Sequence, residues 1–206
     1  MPVQLTSREI ARKYDRFARW YDLVEGVPDL LGLRKLRRRL LAKAPGRILE
    51  IAIGTGKNLS YYPESSHITA VDLSAQMLDA ARRRANSLGL KVEFALADAE
   101  ALPFSDKSFD TVVSSLTTCT FPNPVVALEE MARVCRTDGR ILLLDHGRSD
   151  RKWLARWQDR RDEPHAKQFG CHWNREPLKL AQQAGLRVVT ARRTFFGIFH
   201  EIEATP

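Results

Sequence analysis

One short stretch constrains this chain more than any other: RILEIAIGTGKNL, from Arg47 to Leu59. Its β-branched and aliphatic residues over 47–53 have the composition of a buried strand. Gly54 and Gly56 then let the backbone turn and approach a ligand with no side chain intervening. The chain is therefore expected to pass from strand through a tight turn into a helix beginning near Lys57. Spacing narrows the ligand. A dinucleotide fingerprint needs glycines at 52, 54 and 57, where this chain has Ala52, Gly54 and Lys57. No phosphate-binding GK[ST] follows either.

The pattern continues downstream. Twenty residues after Ala52, a second apolar strand, 67–72, ends in Asp72, where a carboxylate can accept hydrogen bonds from two ribose hydroxyls. A third strand, 91–96, leads into LADAEALPFSDKSFD with Asp98 and Ala99 at its start. Helix 75–88, strand 109–115, helix 123–135 and strand 139–145 complete an alternation that implies a parallel sheet with helices on both faces. Ligands of such sheets sit at the carboxyl ends of the strands, which would bring Glu50 to Gly56, Asp72, Asp98 and Ser115 to one rim. A helix near 177–184 and two closely spaced strands, 186–194 and 196–203, predict a terminal antiparallel hairpin, for about seven strands in all.

Acidic-x-small-x-Gly-x-Gly, the strand-ending Asp72 and the Asp98-Ala99 step, in that order, resemble the class I S-adenosylmethionine-dependent methyltransferases. The resemblance runs from about Tyr14 to the C-terminus and implies an α/β, Rossmann-like doubly wound sheet with S-adenosylmethionine as cofactor. Ala52 stands where the family has its first glycine. Carried onto this sequence, the family's donor-contacting positions are Tyr14, Glu50, Ala52, Gly54, Gly56, Asn58, Asp72, Leu73, Met77, Asp98, Ala99 and Ser115. Glu50 is placed to meet the donor's amino group, directly or through water. The segment RKYDRFARWYD resembles the donor-covering helix of ubiquinone/menaquinone-type and phospholipid N-methyltransferases, which makes Tyr21 a candidate catalytic residue beside Tyr14. Both tyrosines also fit the apolar stripe of an ordinary packed helix over 6–25, capped by Thr6 or Ser7.

The acceptor must be sought after strands four and five. Methyltransferases of nucleic-acid base amines usually carry [ND]PP[YFW] after the fourth strand; this chain has Ser115-Leu116-Thr117-Thr118, so nucleic acid is not the expected acceptor. LLLDHGRSD and the Trp-bearing basic segment after it resemble membrane-associated alkyl-thiol and phosphatidylethanolamine N-methyltransferases. The expected acceptor is a small or lipophilic molecule: phospholipid amine, quinol or thiol. His146, at the end of the fifth strand, is the candidate catalytic base or acceptor-orienting group; the plainer reading is a histidine bonded to backbone. Trp153, Trp157 and Trp173 fit interface anchors, pocket walls or core packing alike. Cys171 and His172, beside Cys119 and His146, invite a metal reading, but without paired ligand spacing no metal is expected.

Charge is uneven. Lys and Arg number 12 against 5 Asp and Glu over 1–47, 9 against 13 over 48–147, and 12 against 7 over 148–206. An acidic core between basic flanks suggests peripheral contact with an anionic membrane; the alternative is a non-catalytic module of the same fold whose flanks hold RNA or a partner protein. Helix 30–42 shows a Leu30, Leu33, Leu36, Leu40 stripe with Arg34, Lys35, Arg37, Arg38 and Arg39 around the remainder, which suits an anionic membrane surface or an ordinary core-facing helix with a solvated polar face. No apolar run approaches the roughly 20 residues of a membrane span, and the N-terminus lacks a signal-peptide pattern, so a cytoplasmic protein is expected. The 206 residues fit one domain over 1–206: a helical cover (1–46), a donor-binding core (47–146) and an acceptor-side segment with the last strands (147–206).

Overall fold

A computed structural model describes residues 5–24 and 32–206, the side chains of residues 19–24 lying outside that description. Leu30, with which the stripe of the second helix was expected to begin, is also outside the described residues. Seven strands form one sheet: β1 (Arg47–Ile51), β2 (His67–Asp72), β3 (Val92–Leu96), β4 (Phe109–Ser115), β5 (Cys135–His146), β6 (Arg187–Thr194) and β7 (Phe199–Thr205). Their spatial order is β3-β2-β1-β4-β5-β7-β6. The first five are parallel, whereas β7 runs antiparallel to both β5 and β6, as the expected terminal hairpin. The order reverses between β1 and β4, which opens a crevice beyond their carboxyl ends.

The period-2 alternation of the central strands explains how both faces are covered. Leu49 and Ile51 of β1 belong to one buried core, with Leu128, Met131 and Val134 of α4 (Pro124–Val134) and Ala181 of α6 (Pro177–Gln183). Ile48 belongs to the other, with Leu36, Leu40 and Leu41 of α2 (Arg34–Leu41) and Leu78, Ala81 and Ala85 of α3 (Ala75–Ser87). The leucine stripe of α2 is therefore core-facing. Ahead of it, α1 (Ser7–Val24) starts at a capping box, in which Thr6 N–H donates to Glu9 Oε2 (2.9 Å) and Glu9 N–H to Thr6 Oγ1 (3.3 Å). After β5, α5 (Lys152–Phe169) ends on left-handed Gly170.

Two expectations are corrected. No α-helix begins at Lys57; there is a single 3₁₀ turn, Leu59–Tyr61, because Pro63 forces Tyr62 into extended backbone (ψ 149°) and ends any helix there. Its place on that face is filled by α2, whose leucines share a core with Leu59. The fifth strand begins at Cys135 rather than 139, with a register shift opposite Phe109 and Thr111. Among the described residues no helix is long and apolar enough to cross a membrane.

Candidate active site

The glycine turn after β1 carries two left-handed residues that face the crevice: Ala52 at φ +50° and Gly54 at φ +59°. Asp72, at the end of β2, holds the turn by accepting from Gly54 N–H (2.8 Å) and from Ser74 N–H (2.9 Å). Ser74 in turn caps α3 by accepting from Met77 N–H at 3.1 Å. The cleft thus formed is lined by Tyr14, Glu50, Ala52, Gly54, Asn58, Asp72, Leu73, Met77, Ala99 and Ser115. Ten of the twelve expected donor positions therefore meet in one cavity.

Gly56 and Asp98 do not line it. A Cβ on Gly56 would come within 2.9 Å of Leu59 Cδ1 and 3.3 Å of Ala81 Cα, so this glycine lets the turn pack against α3. Asp98 faces away, accepting from Glu100 N–H at 3.0 Å; its neighbours Ala97 and Ala99 form the wall instead. Tyr21 lies on α1 where side chains are outside the described residues.

Glu50 is almost wholly buried, and burial raises its pKa to about 7 against the opposing effect of its hydrogen bonds. Asn58 Nδ2 donates to it at 2.7 Å and the Tyr62 hydroxyl at 2.9 Å. Burial likewise raises Asp72 to about 6, although the Ser74 and Gly54 amides favour its charged form. Beside Glu50 lies a residue whose type and neighbours suggested surface charge. Arg37 is 5% exposed, lines the cleft, and donates to Asn58 Oδ1 (2.6 Å) and Ser115 Oγ (3.0 Å). Ile48 and Glu50 share a face of β1 by strand alternation, and α2 covers that face. The available signal was phase: Arg37 falls between Leu33, Leu36, Leu40 and Leu41 on the apolar stripe.

A second cavity, of roughly 730 Å³, adjoins the first, and the two share Tyr14 and Leu116. Leu116 sits at φ +60°, a left-handed conformation that a branched side chain adopts only when its surroundings impose it. The loop is fixed by fully buried Asp145, which accepts from Thr117 N–H (2.9 Å) and Thr118 N–H (3.1 Å). The second cavity is lined by Phe17, Trp157, Phe169, Trp173, Ile198 and Phe199, with Cys119, His146 and Cys171 among them. His146 thus belongs to this cavity and not to the first. Trp157 stacks on Trp173 (centroids 5.3 Å apart), so these two are cavity walls, whereas Trp153 is 69% exposed. His172 does not join His146; its Nδ1 pairs with Asp162 at 2.7 Å.

Helix α1 spans both cavities through Tyr14. It is fastened on one side by Asp15, which accepts from Ser74 Oγ (2.5 Å) and Gln76 N–H (3.3 Å). On the other, Lys13 Nζ donates to the carbonyls of Lys167 (2.8 Å) and Gln168 (3.1 Å) at the end of α5. Asp15 and Tyr62 were not singled out by the motifs, since each acts through a partner distant in sequence.

Residues 49–143 match a family model described as a methyltransferase domain. Phosphatidylethanolamine N-methyltransferase of Cereibacter sphaeroides is 35% identical over 71% of this chain and 72% of its own length. The mitochondrial methyltransferase OMS1 of Saccharomyces cerevisiae is 28% identical over 94% of this chain, which spans only 45% of that protein. Among solved structures, a Thermotoga maritima protein described as an SAM-dependent methyltransferase, possible histamine N-methyltransferase, superposes with a TM-score of 0.71 over 95% of this chain and 99% of its own, at 24% identity.

Proposed function

Because the chain belongs to the class I S-adenosylmethionine-dependent methyltransferases, we propose that it carries the donor's methyl group to a lipophilic acceptor held in the second cavity. One observation carries this reading: the cleft with the family's donor residues and the large, aromatic-walled cavity meet at Tyr14 and Leu116. A volume of roughly 730 Å³ suits a drug-sized or lipid-like molecule, since such sites are typically about 300–1,000 Å³ and mostly apolar. In the donor cleft Asp72 would hold the donor's ribose hydroxyls and Glu50 its amino group. When bound, the donor would supply an electrophilic methyl group to an acceptor lone pair, its carbon–sulfur bond breaking to leave a neutral thioether. Alignment of two bound reactants is worth roughly 7–11 kcal/mol, so positioning supplies most of the catalysis. An acceptor that arrives protonated has His146 on the cavity wall to receive its proton.

The deciding experiment supplies methyl-labelled donor with lipid, quinol, thiol and RNA pools and identifies the labelled product. Label in an organic-soluble product is expected; label confined to RNA, or donor binding without turnover, sinks the proposal.

Asp72→Ala is expected to weaken donor binding by about 1–3 kcal/mol, the cost of leaving buried polar groups unpaired. Calorimetric titration of the folded variant measures it, and unchanged affinity would remove Asp72 from the donor's contacts.

Proton linkage gives a second test. Glu50 and Asp72 have folded-state pKa values of about 7 and about 6, above the roughly 4 of an unfolded carboxyl. The folded protein therefore holds extra protons between about pH 4 and 7, and this contribution to stability is lost as pH rises through the folded values. A cationic donor prefers both carboxylates ionised. Its affinity should rise about tenfold or more from pH 5.5 to 8 with proton release, each pKa unit being about 1.4 kcal/mol. Affinity that is flat with pH would dissociate these carboxyls from the donor.

Membrane contact would deliver such an acceptor. Trp153, Trp157, Phe169, Phe195 and Phe196 are exposed, and the last two occupy left-handed backbone (φ +51° and +57°). Holding two phenylalanines outward in this way costs energy that burial in lipid would offset. The protein is expected to sediment with anionic vesicles at low salt and to release at about 0.5 M, where screening is a few ångströms. Phe195→Ser with Phe196→Ser should weaken sedimentation at unchanged donor affinity. Equal sedimentation of wild type and variant would rule this hairpin out. The arginine run of α2 is the poorer target, because Arg37 is buried under the cleft and Arg39 pairs with Glu201.

A further inference from the structure

Three side chains far apart in sequence converge on the wall of the second cavity: Cys119 after β4, His146 at the end of β5 and Cys171 after α5. Their Sγ and ring-nitrogen atoms all lie within 4.8 Å of one another, with Cys171 Sγ 3.3 Å from His146 Nε2. We infer that Cys119, His146 and Cys171 form a binding site for one divalent ion of the zinc class, with its fourth coordination position open to the acceptor cavity.

The geometry supports this first. Tetrahedral zinc with bonds of about 2.3 Å to sulfur and about 2.0 Å to nitrogen sets its ligand atoms roughly 3.5–3.8 Å apart, so only small rotations are needed to close the site. The donor set is selective as well: two thiolates and an imidazole suit zinc and other soft or borderline ions, whereas magnesium and calcium require oxygen. Two thiolates also neutralise a divalent ion, and a neutral complex is what an apolar, aromatic-walled cavity can accommodate.

The ligands are held in place beforehand. His172 N–H donates to the Cys119 carbonyl at 2.9 Å, which joins the two cysteine-bearing loops directly. Buried Asp162 of α5 fixes the second loop by accepting from His172 Nδ1 (2.7 Å) and Trp173 N–H (2.6 Å), and His165 Nδ1 meets the Cys171 carbonyl at 2.8 Å. The first loop hangs on Asp145 and on Arg175, which donates to the Phe121 carbonyl at 2.8 Å. Three fixed ligands and one open position are the arrangement of zinc sites that act on a substrate, in contrast to the closed four-ligand arrangement of structural sites. In the reading proposed above, on which this last step rests, the open position would bind the acceptor's sulfur, nitrogen or oxygen beside the junction with the donor cleft, and with the ion bound it is the ion, in place of His146, that would lower the acceptor's proton affinity. Sequence spacing could not reveal the site, because its ligands are 27 and 25 residues apart along the chain and no pair shares one turn or one helix.

The test is elemental analysis of protein purified without chelators from zinc-supplemented cells. About one equivalent of zinc is expected, falling at least about tenfold in Cys171→Ser and in Cys119→Ser. Titration of metal-free protein with cobalt(II) should produce thiolate-to-cobalt charge-transfer absorption that both variants lack. Donor affinity, measured on each sample, reports that the variants fold. Metal-free wild type with no cobalt band overturns the inference, whether its thiols are free or joined as a disulfide. Wild type that binds donor yet takes up neither zinc nor cobalt would leave the methyltransferase intact and remove the ion site; bound metal without methylation of any lipophilic pool would leave the ion site and remove the acceptor reading.

Discussion

Gly54→Val is expected to lower affinity for S-adenosylmethionine by about a hundredfold or more while the sheet remains folded. Two consequences of one position combine. At φ +59° a β-branched residue is strained by about 1–3 kcal/mol, and the turn that carries it is held by the 2.8 Å bond from Gly54 N–H to Asp72. The direction in which a Cβ would project meets no protein atom within 4 Å, so the fold has room for the side chain. That room is the cleft itself, and the valine methyls would occupy the volume needed by the donor. Titration calorimetry together with circular dichroism separates the two effects. A folded variant with wild-type affinity would mean that the donor sits elsewhere.

The largest expected effect on stability belongs to Arg37→Leu, at about 3 kcal/mol. Removing one member of a buried charged network typically costs about 3–5 kcal/mol, because what remains is buried without compensation. Here the remainder is Asn58, Ser115 and, through Asn58, Glu50, whose charge Arg37 favours. Arg37→Lys should recover part of the loss, as a cation without the planar fork. Denaturant unfolding would show a lowered midpoint at unchanged slope. A wild-type midpoint would demote Arg37 to a bystander.

These two residues mark what the sequence disclosed and what it withheld. Gly54, Asp72 and Glu50 were legible because strand alternation, turn chemistry and the carboxyl-end rule are local or nearly local signals. The same logic yielded five parallel strands and the closing hairpin. It failed at Lys57, where Pro63 ended the turn before a helix could propagate. Arg37 was misread because a basic run was weighed by composition, while its burial depended on which face of α2 met β1. The neighbours Asp98 and Gly56 were taken with their motifs although one turns into its own loop and the other serves packing. The second cavity was least legible. Its wall is assembled from α1, the loops after β4 and β5, α5 and β7, whose mutual distances are set only when the sheet order is complete.

The fastening of α1 bears on the kinetics of turnover. Asp15 ties the helix to the rim of the donor cleft and Lys13, two residues away, ties it to the end of α5 beside the acceptor cavity. A rigid helix anchored so cannot swing clear of one chamber while staying seated on the other. Spent donor and methylated product would then leave during the same excursion, and neither reactant could be replaced alone while its companion waits. Each latch is an exposed or half-buried bond worth about 1 kcal/mol net, weak enough to part on the microsecond-to-millisecond scale of such motions. Exchange at both ends would thereby be governed by one gate.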